Sequence, residues 1–577
     1  MDVTQPIASL KRAYIKATHA ESDYFAFVKG CLQLRQQLQK NCPDYNEVNR
    51  QIAVCYSLLH DEIKSNDSRP KHPVSFGTSG WRGILGKDLF VKSVKQVALG
   101  IVELYKNIDK AERSLKEALG VSSLAETRKR GCVVGHDNRF GGETLAQGVN
   151  DVLSSYGFTV HYAGEATTGT LSAAVLELHA AFSINLTPSH NPLEYGGFKY
   201  NAADAGPAAS LITRLIAANA RKNIEQDLLP ALPGDPSRVH PIDALALWKN
   251  LVRKNQERHG LNYDGIMKTF RHRKDVAVAV DCVHGASRVH MHDLFNLPAS
   301  GRFMILRGEA DPTFGGIAPE PSSSNLKMVK ETLAERQEPL KVGMIIDPDA
   351  DRIRFVDPSM EIGMNQFGAM AYHYLHEIKD KKGILAKTVA TSNFGNAIAK
   401  ALHEEIFEPP VGFKEFKPVI GKALVCFEES DGISVIGHTP EKDAYIGLLL
   451  ALDMIMTLNK NLSLYLEELE EKYGAFFPDR DGVKVSIHGQ ELTARLGSLK
   501  RFSAGKSIEI DGRPKTVKEL ITIDGYKIIF EDNSWLMIRP SGTEPKVRFY
   551  VEARTEKDKK GLFKAAAQLL KDMELLS

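Results

Sequence analysis

The chain is poor in cysteine: six in 577 residues, with no CxxC pair. Neither a disulfide framework nor a clustered zinc site is expected from that usage. Cys132, Cys282 and Cys426 fall inside apolar runs and read as small buried hydrophobes. Long hydrophobic runs are also missing. The longest, residues 444–456, is interrupted by Asp453 and falls short of the roughly 18–20 residues that cross a bilayer, so no membrane partner is expected. The first residues, MDVTQPIASLKRAY, lack the apolar stretch of a signal peptide, and the cytoplasm is the expected compartment. There is no excess of one charge sign. Lys plus Arg number 74 against 72 Asp plus Glu, a net charge of +2, which argues against a nucleic-acid partner while leaving room for a local cationic pocket. The GxxxxGK[ST] and GxGxxG fingerprints are absent, so nucleotide and dinucleotide sites of those kinds lose support.

What is present is a long, ordinary globular composition. At about 100–200 residues per domain, the length implies about three to five domains. Residues 1–70 read as helical: 9–40 place apolar residues at helical intervals, NCPDYNEVNR breaks the pattern, and EVNRQIAVCYSLLHDEIKS resumes it. A glycine-rich stretch, FGTSGWRGILG, follows. One unit then recurs, an apolar strand running into a polar or glycine-containing loop and then a helix, as in GCVVGHDNRFGG, AAFSINLTPSHNP, DVAVAVDCVHG, KVGMIIDPDADR, TVATSNFGNAIAKALHEE and KALVCFEESDG. Nearly continuous apolar strands suit parallel sheets covered on both faces, and alternation with helices implies α/β domains. Such domains bind ligands at the carboxyl ends of their strands, where these loops fall. PALPGDPS marks a linker. The expected division is a helical extension 1–70, α/β units 71–235, 236–360 and 361–475, and a smaller α+β unit 476–577. That last unit has hairpin-like strands and a terminal helix placing Phe563, Ala566, Leu570 and Met573 on one face.

Four loops can carry chemistry. In TPSHNPLEYGGFKYN, Ser189 follows an apolar strand between Pro188 and His190-Asn191-Pro192. A serine nucleophile needs a nearby base or charge clamp, for which His190 and Lys199 are candidates; an ordinary turn is the simpler reading of this loop alone. In IIDPDADRIRF, Asp347, Asp349 and Asp351 alternate, so in extended backbone they would point the same way. Three such carboxylates repel unless a cation lies between them, and hard oxygen donors favour magnesium or calcium over zinc. An EF-hand is excluded, because its glycine and glutamate positions hold Arg352 and Pro358. In CFEESDGIS, Glu428, Glu429 and Ser430 suit sugar hydroxyls or, equally, a turn before Gly432. In IRPSGTEPKVRFY, Arg539, Ser541, Gly542, Thr543, Lys546 and Arg548 combine cations, hydroxyls and a flexible backbone, which favours phosphate binding. Arg82, in FGTSGWRG, is a further phosphate partner.

FGTSGWRG, TPSHNP, DPDADR, VGFKEF, EESDG and RPSGTEPKVRFY, in this order and spacing, resemble the α-D-phosphohexomutase superfamily, most closely its phosphoglucomutase branch. The resemblance runs from about residue 72 to the C-terminus. It implies three related α/β domains and a smaller C-terminal α+β domain around a central cleft. It also implies an active-site phosphoserine, Mg2+, and exchange of hexose 1-phosphate and 6-phosphate through a bound bisphosphate. By matching motif, Ser189 is the phosphoserine. Asp347, Asp349 and Asp351 hold the metal together with a Ser189 phosphate oxygen. Glu428 and Ser430 grip sugar hydroxyls, and Gly412 and Phe413 lie on the loop that tells the two sugar orientations apart. Arg539, Ser541, Gly542, Thr543 and Arg548 hold the non-reacting phosphate. Lys442 lies near the reacting groups, and Arg82, His190, Lys199 and Arg352 complete the cationic surround. Charge counting agrees. Three aspartates, a divalent cation and a phosphate of about −2 sum to roughly −3 before a sugar phosphate adds nearly −2 more, so cations are required nearby.

The EES-type loop goes with glucose in this family, although Phe427 stands where many members have glycine. Glucose 1-phosphate and glucose 6-phosphate, with glucose 1,6-bisphosphate as intermediate, are therefore the expected substrates, with mannose or pentose phosphates as alternatives. Two readings from other classes compete: an aspartyl-phosphate phosphatase built on the DxD of KVGMIIDPDAD, and an inactive sugar-phosphate-binding protein. Residues 1–70 lie outside the motifs; packing against the first domain or forming an oligomer contact is the expectation.

Overall fold

The computed structural model describes residues 2–77, 80–230, 232–487, 489–541 and 546–576. Among the described residues the strands form four sheets of seven, five, four and six strands. The first three share one construction. In the first sheet, Phe182–Leu186, Cys132–His136, Val160–Glu165 and Val239–Pro241 run parallel. Tyr195–Ala202 then returns antiparallel beside Phe182–Leu186. In the second, Leu340–Ile346 lies parallel to Val276–Asp281, and Ile353–Val356 returns antiparallel to it. In the third, Ala423–Glu428 lies parallel to Ile384–Lys387, and Gly432–Val435 returns antiparallel.

The expected parallel sheets are thus mixed. The physical reason is in the loops: each candidate loop is short and turns the chain straight back, so the next strand pairs as a hairpin rather than after a helical crossover. Residues 187–194, 347–352 and 429–431 consequently occupy equivalent places at the carboxyl ends of buried strands. The first sheet ends at Val239–Pro241, the second at Glu361–Ile362, and the fourth begins at Phe477. The fourth sheet is wholly antiparallel and carries the helix Glu556–Asp572.

The first 70 residues are helical but are divided differently from the sequence expectation. Residues 9–40 hold two helices, Thr4–Tyr14 and Tyr24–Gln36, because Asp23 leaves the helical conformation and its carboxylate accepts from Ala26 N, capping the second. The third helix, Pro43–Ser65, starts inside the expected break, with proline in its first turn where a missing N–H costs nothing. Tyr24, Phe27, Val28, Leu32, Ile52, Leu59 and Ile63 share one apolar core with the first sheet. The extension packs on the first domain, as expected. A second core runs through both the second and third units, whereas the fourth has its own. Among the described residues a small cluster, Val389, Ala390, Trp535, Met537 and Tyr550, joins the fourth unit's apolar surface to the third. None of the described helices is long and apolar enough to cross a membrane.

Candidate active site

The Ser189 loop is held in an unusual shape. Ser189 has φ 57°, a left-handed conformation that a non-glycine residue adopts only when its surroundings impose it. Those surroundings come from the Cys132–His136 strand and the loop after it. Asp137 accepts from Thr187 Oγ1 at 2.6 Å, and Thr187 Oγ1 accepts from Ser189 N at 2.9 Å. Arg139 donates to the carbonyls of Ser189 at 2.7 Å and Pro192 at 2.6 Å, and also to that of Asn191. Gly197 lets the loop lie on its return strand, since a Cβ there would fall 2.2 Å from Thr187 O.

The result is a buried hydroxyl, 1% exposed, whose Oγ donates to Asp347 Oδ2 at 2.8 Å and lies 3.3 Å from His190 Nδ1. Asp347, Asp349 and Asp351 are all buried, each offering one oxygen within 4.8 Å of the others. They converge by a route other than strand alternation. The strand stops at Ile346, and a turn with Ala350 at φ 53° follows. Asp347 Oδ1 accepts the backbone N–H of both Asp351 and Arg352 at 3.0 Å. The turn, not an extended chain, aims the carboxylates together.

Buried carboxylates need partners. Lys199 Nζ lies 2.5 Å from Asp349 Oδ2 and 2.9 Å from Asp351 Oδ2. Lys442 Nζ is 3.6 Å from Asp351 and 3.3 Å from Glu428 Oε1, and Arg352 Nε is 3.7 Å from Asp351 Oδ1. Burial opposes the Lys199 charge, but Asp349 and Asp351 outweigh it and hold its pKa above the ordinary lysine range. Burial likewise opposes ionisation of Asp351, and Lys199, Lys442 and Arg352 overcome it, keeping the pKa low. Asp347 is raised well above the usual range by burial and its two neighbouring aspartates. Burial, then the charges of Arg352 and Arg82, pull His190 well below the usual imidazole value. Lys199, expected as a candidate base, is pinned between two carboxylates, whereas His190 stands against the hydroxyl.

Even with these cations, Asp349 Oδ1 and Asp351 Oδ1 are buried without a hydrogen-bond partner. Leftover hard oxygens on converging carboxylates fit a small divalent cation.

Three residues that the sequence reading left unassigned complete the site. Thr168, at the start of the helix Thr168–Leu178, donates its Oγ1 to Asp349 Oδ2 at 2.9 Å and its N–H to Asp349 O at 2.8 Å. Arg139 fixes the serine loop. Glu441, buried beside Lys199 and Lys442, is pushed up to about 7 by burial. The signals were visible: Thr167-Thr168-Gly169-Thr170 reads as a capped helix start, and HDNRFGG as another loop after a buried strand.

The remaining expected residues divide. Glu428 faces Lys442, and Gly432 permits this, since a Cβ there would strike Lys442. Ser430 sits half-buried on the hairpin. The ring of Phe413 is buried in an apolar cluster with Phe416 and Val419, which leaves only its main chain for a ligand; Gly412 precedes it at φ 131°. Arg82 is on the strand Gly80–Ile84. Arg539 and Arg548 are directly paired across adjacent strands of the fourth sheet, and Asp524 lies 3.0 Å from Arg539 Nε. Ser541 N donates to Lys546 O at 2.8 Å, at the neck of that loop. Gly542 and Thr543 lie outside the described residues.

A serine hydroxyl set against a buried carboxylate triad, on the first of three like-built α/β units, defines a class of multidomain phosphotransferase. The phosphoglucomutase/phosphomannomutase domain families all match: alpha/beta/alpha domain I at 73–227, domain II at 263–363, domain III at 364–473 and the C-terminal domain at 483–569. The chain belongs to the α-D-phosphohexomutase superfamily and is an isomerase-class phosphotransferase, which sets aside the phosphatase and binding-protein readings. It is 25% identical to phosphoglucomutase 1 of Drosophila melanogaster, covering 80% of this chain and 89% of that one. It is 24% identical to the phosphoglucosamine/phosphogalactosamine mutase of Sulfurisphaera tokodaii, covering 83% and 95%. Its fold matches the open form of pp63/parafusin, a phosphoglucomutase of Paramecium, with TM-score 0.67 at 19% identity, covering 88% and 96%.

Proposed function

We propose that this phosphohexomutase interconverts glucose 1-phosphate and glucose 6-phosphate, with Ser189 as the phosphate carrier. The observation that carries the reading is the Ser189 hydroxyl, 2.8 Å from Asp347 and buried against the aspartate triad. Magnesium, when held by Asp347, Asp349, Asp351 and a phosphate oxygen on Ser189, offsets the negative charge of the phosphoryl group. The chain's own residues do the rest. Arg139 and Asp137 hold the loop so that Ser189 Oγ faces Asp347. A sugar hydroxyl forms a new P–O bond as the bond to Ser189 Oγ breaks, and the hydroxyl proton passes through His190 to the leaving Ser189 Oγ, 3.3 Å from Nδ1. The product of this half-reaction is glucose 1,6-bisphosphate. Reversed in the cleft, it returns its other phosphate to Ser189. Lys199, Lys442, Arg352 and Arg82 balance the charge of the reacting phosphate. Arg539, Ser541, Gly542, Thr543 and Arg548 hold the non-reacting one in either orientation, while Glu428, Ser430 and the Gly412–Phe413 main chain hold the sugar. The cytoplasm is the proposed compartment.

The glucose assignment rests on the Glu428-Glu429-Ser430 loop. A side-by-side assay of glucose, mannose, glucosamine and ribose 1-phosphates, with a trace of the corresponding bisphosphate, tests it. Fastest turnover of glucose 1-phosphate is expected, and a tenfold preference for another sugar overturns the assignment. Phosphate found by mass spectrometry on a residue other than Ser189 overturns the mechanism.

A further inference from the structure

The sequence reading assigned the phosphate-binding arginines to one loop and the sugar-orienting residues to another, with no link between them. The structure supplies one. Asp524, in the turn between the strands Arg513–Ile521 and Tyr526–Phe530 of the fourth unit, presents a single carboxylate oxygen to both. Its Oδ2 accepts the backbone N–H of Val411, next to Gly412, at 3.0 Å. The same Oδ2 lies 3.0 Å from Arg539 Nε.

The turn is built for this approach. Gly525 has φ 82°, and a Cβ there would lie 2.5 Å from Ile538 O and 2.6 Å from Arg539 Cβ, so only glycine lets the turn press against the arginine strand. The ion pair holds the Nε edge of the guanidinium against the Asp524 carboxylate. The carboxylate also relieves part of the repulsion between Arg539 and Arg548, which face each other across the strands. The Val411 bond crosses from the fourth unit to the third, so it is made only when the fourth unit is seated.

The geometry points to Asp524 as a positioning residue that couples the phosphate grip to the sugar loop. This rests on the proposed reading of those two loops. A sugar phosphate bridges both loops and gains from the coupling; inorganic phosphate, at either phosphate site, bridges neither loop to the other and does not.

The test compares affinities for glucose 6-phosphate and for inorganic phosphate, by calorimetry on the full chain with magnesium, in wild type, Asp524→Asn and Asp524→Ala. The ratio of the two affinities is expected to fall at least tenfold in Asp524→Ala, which loses both contacts. It should fall about threefold in Asp524→Asn, whose amide oxygen still accepts from Val411. A ratio unchanged within twofold in Asp524→Ala overturns the coupling. So does an equal loss of both ligands, which marks a general loosening of the fourth unit. If wild type binds inorganic phosphate but no hexose phosphate, the proposed function fails and takes this inference with it. If wild type binds and turns over glucose phosphates while Asp524→Ala keeps its ratio, only the inference fails.

Discussion

The junction between the first two units and the junction between the last two are built from opposite materials. At the front, contacts are short, charged and buried: Ser189 to Asp347, Thr168 to Asp349, Lys199 to Asp349 and Asp351. Arg288 pairs with Glu165 at 2.6 Å, and Asn138 donates to His284 O. The N-terminal helices reinforce this junction. Tyr56 lies against Phe140 at 4.6 Å and donates to Pro312 O at 3.3 Å, while Phe314 covers the Arg139 guanidinium at 4.8 Å. Lys29 pairs with Glu194 in the serine loop at 2.7 Å.

At the back, the fourth unit keeps its own core and meets the third through five buried residues and a few polar contacts. Glu552 accepts Asn393 N–H at 3.0 Å, capping the helix Phe394–Ala401, and Trp535 Nε1 at 2.8 Å. Lys527 donates to Val389 O at 2.8 Å. The difference teaches where rigidity is needed. Phosphoryl transfer depends on placing nucleophile and cation within fractions of an ångström, and the front supplies this. In the proposed reaction, releasing and re-gripping a phosphate in two orientations needs a contact that opens cheaply, and the small shared cluster at the back fits that need.

The comparison can be broken in four places. The largest effect is expected from Ser189→Ala, which removes one buried hydroxyl: turnover falls by roughly 10⁴-fold or more, with the melting temperature nearly unchanged. Near-normal mutase activity in this variant would remove the front junction from the chemistry. Next, Asp349→Asn is expected to lower turnover and to shift the magnesium dependence of the remaining rate to higher concentration; an unchanged titration counts against the triad as the cation site.

Third, Glu552→Ala leaves a helix N-terminus and an indole N–H unpaired. That costs about 1–3 kcal/mol at the back junction, read as faster proteolysis near residues 474–476 without loss of the front units' near-ultraviolet signal. Equal loss in both halves would mean that the junctions are not independent.

The smallest effect is in pH. Burial and the charge of Lys387 pull Lys527 down to about 7 from 10.5, against Glu408, Glu552 and Glu519. Between those values the unfolded chain holds the extra proton, so stability rises with pH. At the front, burial raises Glu165 from 4.5 to about 7 despite Arg288. There the folded chain holds the extra proton, so stability falls as pH climbs through that window. The melting difference between wild type and Lys527→Met should grow from pH 7 upward, and that between wild type and Glu165→Gln should shrink from pH 4.5 to 7. Slopes of the reverse sign would refute the burial argument at either junction.

The N-terminal helices offer a fifth check. Deleting residues 1–65 exposes the face that Phe27, Val28, Ile52 and Leu59 bury. Apolar surface returned to water costs roughly 25 cal/mol per Å², set against a domain margin of only about 5–15 kcal/mol. Loss of soluble protein is expected, and a stable, active truncation would show that the extension is dispensable.

Much of this was legible in the residues. Apolar strands running into DPDAD, TPSHNP and EES mark buried strands that end in polar loops; the aspartate triplet alone pointed to a cation, while the other two loops gained meaning only as a set. The α/β class and the four-part division followed from the same alternation. Other features were not legible. The antiparallel returns depend on loop conformation, and Ala350 gives no sign that it will turn left-handed. The helix break before Tyr24 depends on one Asp23 cap inside a run of good helix formers.

The sequence by itself determined which chemistry is available: one serine loop, one carboxylate triplet, one acidic Glu428-Glu429-Ser430 loop and one cationic loop, each encoded locally by residue type and spacing. Only the tertiary structure decided which of these act together. Lys199 is ion-paired because Asp349 and Asp351 close on it from another unit. Asp524 joined two loops more than a hundred residues apart. Such pairings are set by how separate units pack, and the energy of a charge depends on what lies within a few ångströms of it, not on its neighbours along the chain.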